Sequence, residues 1–137
     1  MKIDGLLHVN IRCTANDLPN LEKFYDEVLG MKSGFRPNFG RPGAWLYLGT
    51  EPLIHINANY PEGAIAKHRN HNGSVDHVAF KCTNAAELRE RLAQQGIAFQ
   101  EQNIEHGGYQ IFIFDPVGTR LEFNFPNSEA PAQSARR

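Results

Sequence analysis

The sequence lacks most of the features that assign a class at once. It holds two cysteines, two methionines and one tryptophan in 137 residues, and its 14 Lys and Arg stand against 15 Asp and Glu for a net charge of −1. Two cysteines are too few for a disulfide scaffold, and the even charge offers nothing to a polyanion, which excludes nucleic acid as the expected partner. No apolar run approaches the roughly 20 residues that cross a bilayer, so no membrane partner is expected either. The opening Met1-Lys2-Ile3-Asp4-Gly5 has no apolar stretch of the kind a secretion signal carries, which makes the cytoplasm the expected location. Cys13 and Cys82 fall among Val, Ile and Phe and read as small buried hydrophobes. What is present is a hydrophobic content of 41%, enough for one good core or two small fused ones.

The chain also repeats itself. His8-Val9-Asn10-Ile11-Arg12-Cys13-Thr14 aligns with His77-Val78-Ala79-Phe80-Lys81-Cys82-Thr83 at an offset of 69, keeping His, Val, Cys and Thr. Leu53-Ile54-His55-Ile56-Asn57 falls on Arg120-Leu121-Glu122-Phe123-Asn124 at an offset of 67, setting His55 opposite Glu122. Duplication of one supersecondary unit accounts for matched core residues. It does not account for ligand-type residues at matched places on the polar side of both copies.

Periodicity supplies the elements. Leu6–Cys13 alternates apolar and polar residues as a half-buried strand does. Leu18, Leu21, Phe24, Tyr25, Val28 and Leu29 recur at helical spacing, with Asn16 or Asp17 to cap the start and Gly30 to end it. Strands are predicted at 31–36, 44–48 and 52–59. The second copy gives a strand at 75–82, a helix opened by Asn84-Ala85-Ala86-Glu87 and stopped at Gly96, and strands at 97–102, 109–114 and 119–125. Asp115-Pro116-Val117-Gly118 is a turn between antiparallel strands. The expected fold class is therefore α+β: two βαβββ modules forming a paired curved sheet of half-barrels with the helices outside. The expected boundaries are 1–60 for the first module, 61–74 for a Gly- and Asn-rich linker, 75–126 for the second module and 127–137 for a disordered tail.

If Val, Ile, Leu, Phe and Cys face the helices, then His8, His55, His77 and Glu122 face the opposite, concave side, where imidazole and carboxylate can hold a divalent cation. A lone strand histidine is more often structural, but four such residues in matched register favour a metal centre. Trp45 and Tyr47, with Phe112 and Phe114 as counterparts of the repeat, are candidate walls for a flat or apolar substrate, and Tyr109 and Gln110, beside a Gly107-Gly108 hinge with His106, are candidates to close over it. Core or dimer contacts explain the aromatics equally well. Arg12 and Lys81 at the first strands' ends can meet an anion or only water. His68 and His71 of the linker carry no signal.

Over residues 6–126 the sequence resembles the vicinal oxygen chelate superfamily, which includes glyoxalase I, fosfomycin-resistance transferases, methylmalonyl-CoA epimerase, extradiol dioxygenases and bleomycin-resistance proteins. The resemblance rests on Leu7-His8-Val9-Asn10-Ile11, Phe24-Tyr25-Asp26-Glu27-Val28-Leu29-Gly30-Met31, Asp76-His77-Val78-Ala79-Phe80 and Asp115-Pro116-Val117-Gly118-Thr119-Arg120-Leu121-Glu122. It implies paired βαβββ modules, often a homodimer whose site joins halves of two chains, and a metal (Zn, Ni, Mn, Co or Fe) that chelates adjacent oxygens of a small-molecule substrate. His8, His77 and Glu122 match the family's ligand positions. His55 stands where glyoxalase I has a glutamate that is both ligand and proton-transfer base, so either His55 is a fourth ligand or it acts as acid and base beside a two-histidine, one-carboxylate centre. The expectation is a metal-dependent lyase, isomerase or transferase with Glu122 and His55 in catalytic roles. An Fe(II) extradiol dioxygenase is the first alternative and a metal-free binding protein of the bleomycin-resistance type the second. A thiol cofactor such as glutathione rests on family analogy alone.

Overall fold

Each half of the chain builds the same elements in the same order, because each carries the same succession of alternating and helical apolar patterns. The computed structural model describes residues 1–2, 5–62, 75, 77–104 and 108–131. The first half runs β1 (Val9–Arg12), α1 (Leu18–Leu29), β2 (Lys32–Ser33), β3 (Gly43–Leu48) and β4 (Glu51–Asn57). The second runs β5 (Val78–Lys81), α2 (Ala85–Gln94), β6 (Gln100–Ile104), β7 (Gly108–Phe114) and β8 (Arg120–Phe125), followed by a 3₁₀ turn at Asn127–Glu129. Both sheets have the same order, β1-β4-β3-β2 and β5-β8-β7-β6, with one parallel pair (β1 with β4, β5 with β8) and antiparallel pairs elsewhere. The α+β class and the two βαβββ modules are as the sequence predicts. The chain divides into two compact units, Met1–Asn72 with Pro116–Gly118 and Gly73–Asp115 with Thr119–Arg137.

Each sheet separates its faces by the two-residue alternation of a strand. In the first unit Leu46, Ile54 and Ile56 are buried on one face with Leu21, Tyr25 and Val28 of α1. In the second, Ile111, Ile113, Leu121, Phe123 and Phe125 are buried on one face, and Leu88 and Leu92 of α2 are buried as well. His55 and Glu122 alternate with these core residues and so project from the other face. Cys13 is fully buried and Cys82 half-buried, both as thiols, and burial raises the Cys82 thiol above its usual range.

Helix ends follow their signals in part. Gly30, at φ 72°, closes α1 in the left-handed conformation that glycine adopts without steric cost, and the amides of Gly30 and Met31 return to the carbonyls of Asp26 and Tyr25. Asp17 caps α1 without a side-chain bond to the helix; its carboxylate instead accepts from Thr14 Oγ1 at 2.7 Å. The expected Asn84 cap of α2 also differs. Asn84 sits at φ 67° and its Nδ2 donates to Glu87 Oε2, while the free amide of Ala85 donates to Glu129 Oε2 at 2.7 Å. The stretch after Pro126, read from sequence as disordered, therefore starts with an ordered turn that carries a helix cap; residues from 132 onward lie outside the described ones.

Candidate functional site

The sheet register brings the four sequence-predicted ligands together as two pairs, one in each unit. Asn10 of β1 pairs with His55 of β4, and Ala79 of β5 pairs with Glu122 of β8. His8 and His77 each stand two residues before those partners, just ahead of the first strand of their half, so both share a face with the residue on the central strand. The His8 and His55 rings stack at 3.9 Å between centroids and 12° between planes. His77 Nε2 lies 2.9 Å from Glu122 Oε2. Among the described residues, no three or more His, Cys, Asp or Glu stand together as a set that could hold a metal ion.

Glu122 is a buried carboxylate, and its oxygens have separate duties. Oε1 accepts from Gln110 Nε2 at 2.8 Å and from Asn124 Nδ2 at 3.3 Å, leaving Oε2 toward His77. Gln110 is itself fixed, because its Oε1 accepts from Gln102 Nε2 at 2.7 Å. A chain of amides on β6, β7 and β8 thus orients one carboxylate oxygen, and charge-assisted bonds of this kind offset the cost of burying it. At 2.9 Å the His77 Nε2 and Glu122 Oε2 atoms are at hydrogen-bonding distance, so the imidazole and the carboxylate face one another as a pair.

In the first unit the tell-tale atom is His55 Nε2, a buried nitrogen with no hydrogen-bond partner among the described residues. Burial first, then the neighbouring charges of His8 and Arg36, lowers the His55 pKa below its usual value against a raising hydrogen bond to the Pro52 backbone. Proline has only a carbonyl to offer, so the ring's other nitrogen, Nδ1, is the donor. A neutral ring with its proton on Nδ1 carries its lone pair on Nε2, the form in which an imidazole ligates a metal or accepts a proton. An orphaned buried lone pair costs stability unless a partner repays it, so the residues fit a divalent cation.

The predicted substrate walls divide. Trp45 pairs with His55 across β3 and β4 and stacks on it at 4.1 Å and 10°, extending the His8–His55 stack to three rings. Phe112 holds the corresponding position opposite Glu122, meets the His77 ring edge-on at 6.2 Å, and carries the Arg120 guanidinium 4.5 Å above its own ring. Beside it a cleft of about 430 Å³ is lined by Gln100, Glu101, Gln102, Phe112 and Arg120. Tyr47 donates from its hydroxyl to the Phe35 carbonyl, and Phe114 is exposed at the end of β7. Tyr109 is not brought to this face. It alternates with Gln110 and Phe112, is 1% exposed, and its hydroxyl donates to Glu101 and accepts from Arg89 of α2. Burial and the Glu101 carboxylate push its pKa up to about 12. Arg12, a candidate for anions, spends Nε on Asn59 and lies 4.0 Å over the Tyr60 ring. His106, His68 and His71 lie outside the described residues.

With that geometry in place, residues 5–123 match the family model of the Glyoxalase/Bleomycin resistance protein/Dioxygenase superfamily. The chain belongs to this superfamily. No curated protein sequence matches it closely enough to count as a relative. Among solved structures it is similar to a putative glyoxalase family protein from Bacillus anthracis, with 24% identity, a TM-score of 0.73, and 92% of this chain and 98% of that one covered. It is similar also to a mutant of the fosfomycin resistance protein FosX from Listeria monocytogenes, in complex with Mn(II) and 1S,2S-dihydroxypropylphosphonic acid (16% identity, TM-score 0.70, 91% and 94% covered). An antibiotic binding protein from Streptomyces sp. CB03234 is a third (16%, TM-score 0.68, 92% and 98% covered). At these identities the likeness shows the fold, and the superfamily houses enzymes and ligand-binding proteins alike.

Two groups that act on the candidate residues escaped the sequence, one in each unit. Gln102 carries no signal beyond being polar on a strand. Arg36, whose guanidinium acts on His55, sits in the Pro- and Gly-rich stretch Arg36-Pro37-Asn38-Phe39-Gly40-Arg41-Pro42-Gly43, where an arginine reads as a solvated loop residue.

Proposed function

We propose that this protein is a metal-dependent enzyme of the glyoxalase type, which binds a small molecule through two adjacent oxygens and stabilises the oxyanion or enediolate formed from it. The observation that carries this reading is the donor set: a half-buried imidazole whose Nε2 is buried without a partner beside His8, and a carboxylate oxygen aimed at His77 by an amide chain. A metal-free binding protein gains nothing from such a set, which costs free energy unless it is used. When bound to His8, His55, His77 and Glu122, a divalent cation supplies Lewis-acid polarisation of the chelated oxygens. The protein's own residues do the rest. Gln110 and Gln102 hold Glu122 in one orientation, Trp45 and Phe112 flank the ligands as apolar walls, and the substrate proton is moved by Glu122, or by His55 where His55 stands beside the cation and does not ligate it. A cytoplasmic homodimer is part of the same proposal.

Metal content after anaerobic purification, compared across wild type, His55→Ala and His77→Ala, tests it. The expected result is near-stoichiometric Zn, Ni, Mn or Co in wild type, weakened by both substitutions, with no oxygen uptake on addition of catechol. Fe(II) that survives His55→Ala, with catechol-dependent oxygen uptake, replaces this reading with ring-cleavage chemistry and makes His55 an acid/base. Absence of metal from every sample leaves a binding protein whose His8–His55–Trp45 stack is a wall for a flat ligand.

A further inference from the structure

The loop between β2 and β3 places an arginine in an unusual position. Arg36 Nη1 donates to the Arg41 carbonyl at 3.2 Å, and the guanidinium carbon stands 4.9 Å over the Phe39 ring. The two remaining nitrogens, Nε and Nη2, are buried and meet no acceptor among the described residues. Those two belong to one edge of the guanidinium and point the same way, forming the side-on fork that fits two oxygens of one anion. A buried cationic donor without an acceptor costs more than a neutral one, so a pair left open on one edge marks a ligand position rather than a structural contact.

The surroundings favour the same conclusion. Phe39, under the guanidinium, lies 6.2 Å from Trp45, which stacks on His55 at 4.1 Å, so one continuous row runs His8, His55, Trp45, Phe39, Arg36 within the first unit. Gly43 lets the guanidinium lie close against the strand: a Cβ there would come within 2.8 Å of Arg36 Nη2 and would meet the Ile56 carbonyl. The guanidinium is near enough to His55 to oppose its protonation. We infer that Arg36 is a specificity-determining residue, whose Nε and Nη2 bind the anionic end, a carboxylate or phosphonate, of the small molecule held at His55. This rests on the proposed function only for what the rest of the molecule does; the anion site stands on the loop.

Arginine Nε–H resonances of the metal-free, ¹⁵N-labelled full chain, followed during titration with methylphosphonate and separately with acetate, read the site directly. One Nε–H resonance is expected to shift and saturate in wild type and to be missing from Arg36→Lys. That variant keeps the charge without the fork, and its binding should weaken by about tenfold, the equivalent of one charge-assisted hydrogen bond. The tighter of the two anions tells phosphonate from carboxylate. A second arm measures acetohydroxamate, a chelator of adjacent oxygens with no separate anionic end, on the Mn(II)-loaded protein, where Arg36→Lys should leave its affinity unchanged. The inference is overturned if neither anion moves an arginine resonance, if Arg36→Lys binds both as tightly as wild type, or if acetohydroxamate weakens in step with them. Anion binding that behaves as expected beside a failure of acetohydroxamate to bind wild type sinks the chelation reading and leaves the arginine site standing.

Discussion

At the scale of single residues, chemistry in this protein follows which side of a strand a residue occupies. Gln110 and Tyr109 are neighbours on β7, yet Gln110 holds the Glu122 carboxylate while Tyr109 is sealed on the other face with Arg89 and Glu101. Tyr109 holds its proton because burial and the Glu101 carboxylate both disfavour the phenolate, raising the pKa from 10.0 to about 12. A raised folded pKa adds stability that is whole below the unfolded value near 10 and is lost as pH climbs through about 12. Ultraviolet titration should therefore show a tyrosine ionising near pH 12, and Tyr109→Phe should remove that step without weakening metal binding. Weaker metal binding in Tyr109→Phe would return Tyr109 to the substrate side. The candidate ligand residues stood out because the repeat printed them twice, and the register sets the matched positions alike: Asn10 with His55, Ala79 with Glu122. Arg36 has no counterpart in the repeat and no periodicity around it, and its role depends on a loop conformation that residue order alone does not encode.

Elements were legible wherever apolar alternation was long, and their ends were not. All eight strands and both helices arise where the pattern predicts them, but β1 starts at Val9 rather than Leu6, and β2 shrinks to Lys32–Ser33. Leu6 and Leu7 are 83% and 79% exposed, so the alternation there runs past the last partner: β1 pairs with β4 only over Val9–Arg12. A strand needs a neighbour as well as a pattern, and the neighbour's length is set elsewhere in the chain. The cap of α2 makes the same point. Asn84-Ala85-Ala86-Glu87 has the composition of a capping box, yet the carboxylate that receives the Ala85 amide comes from Glu129, 44 residues away. Glu129→Ala should cost about 1 kcal/mol, the usual worth of a helix cap, whereas Asn84→Ala should lose no amide acceptor at the helix start. Chemical denaturation of both variants with an unchanged m-value checks this, and a neutral Glu129→Ala would mean water caps α2 as well as the carboxylate does.

For the molecule as a whole, the two units each have a core of their own, and each carries half of the proposed donor set. Each unit has contacts of its own to lose on unfolding; if one cation is held by His8, His55, His77 and Glu122 together, unfolding either unit also forfeits the binding energy. A ligand at a concentration 100 times its Kd stabilises by about 2.7 kcal/mol, enough to move a thermal transition by several degrees. The chain's single tryptophan, Trp45, belongs to the first unit and stacks on His55, so its fluorescence follows the unfolding of that unit. Mn(II) or Zn(II) should raise the Trp45-detected midpoint in wild type, and Glu122→Ala, a change made in the second unit, should abolish most of that rise. His55→Ala should do the same to the midpoint followed by far-ultraviolet circular dichroism, which reports both units. If instead Glu122→Ala leaves the Trp45-detected rise intact, the His8–His55 pair binds its cation without the carboxylate, and the two halves of the repeat serve separate sites rather than one shared centre.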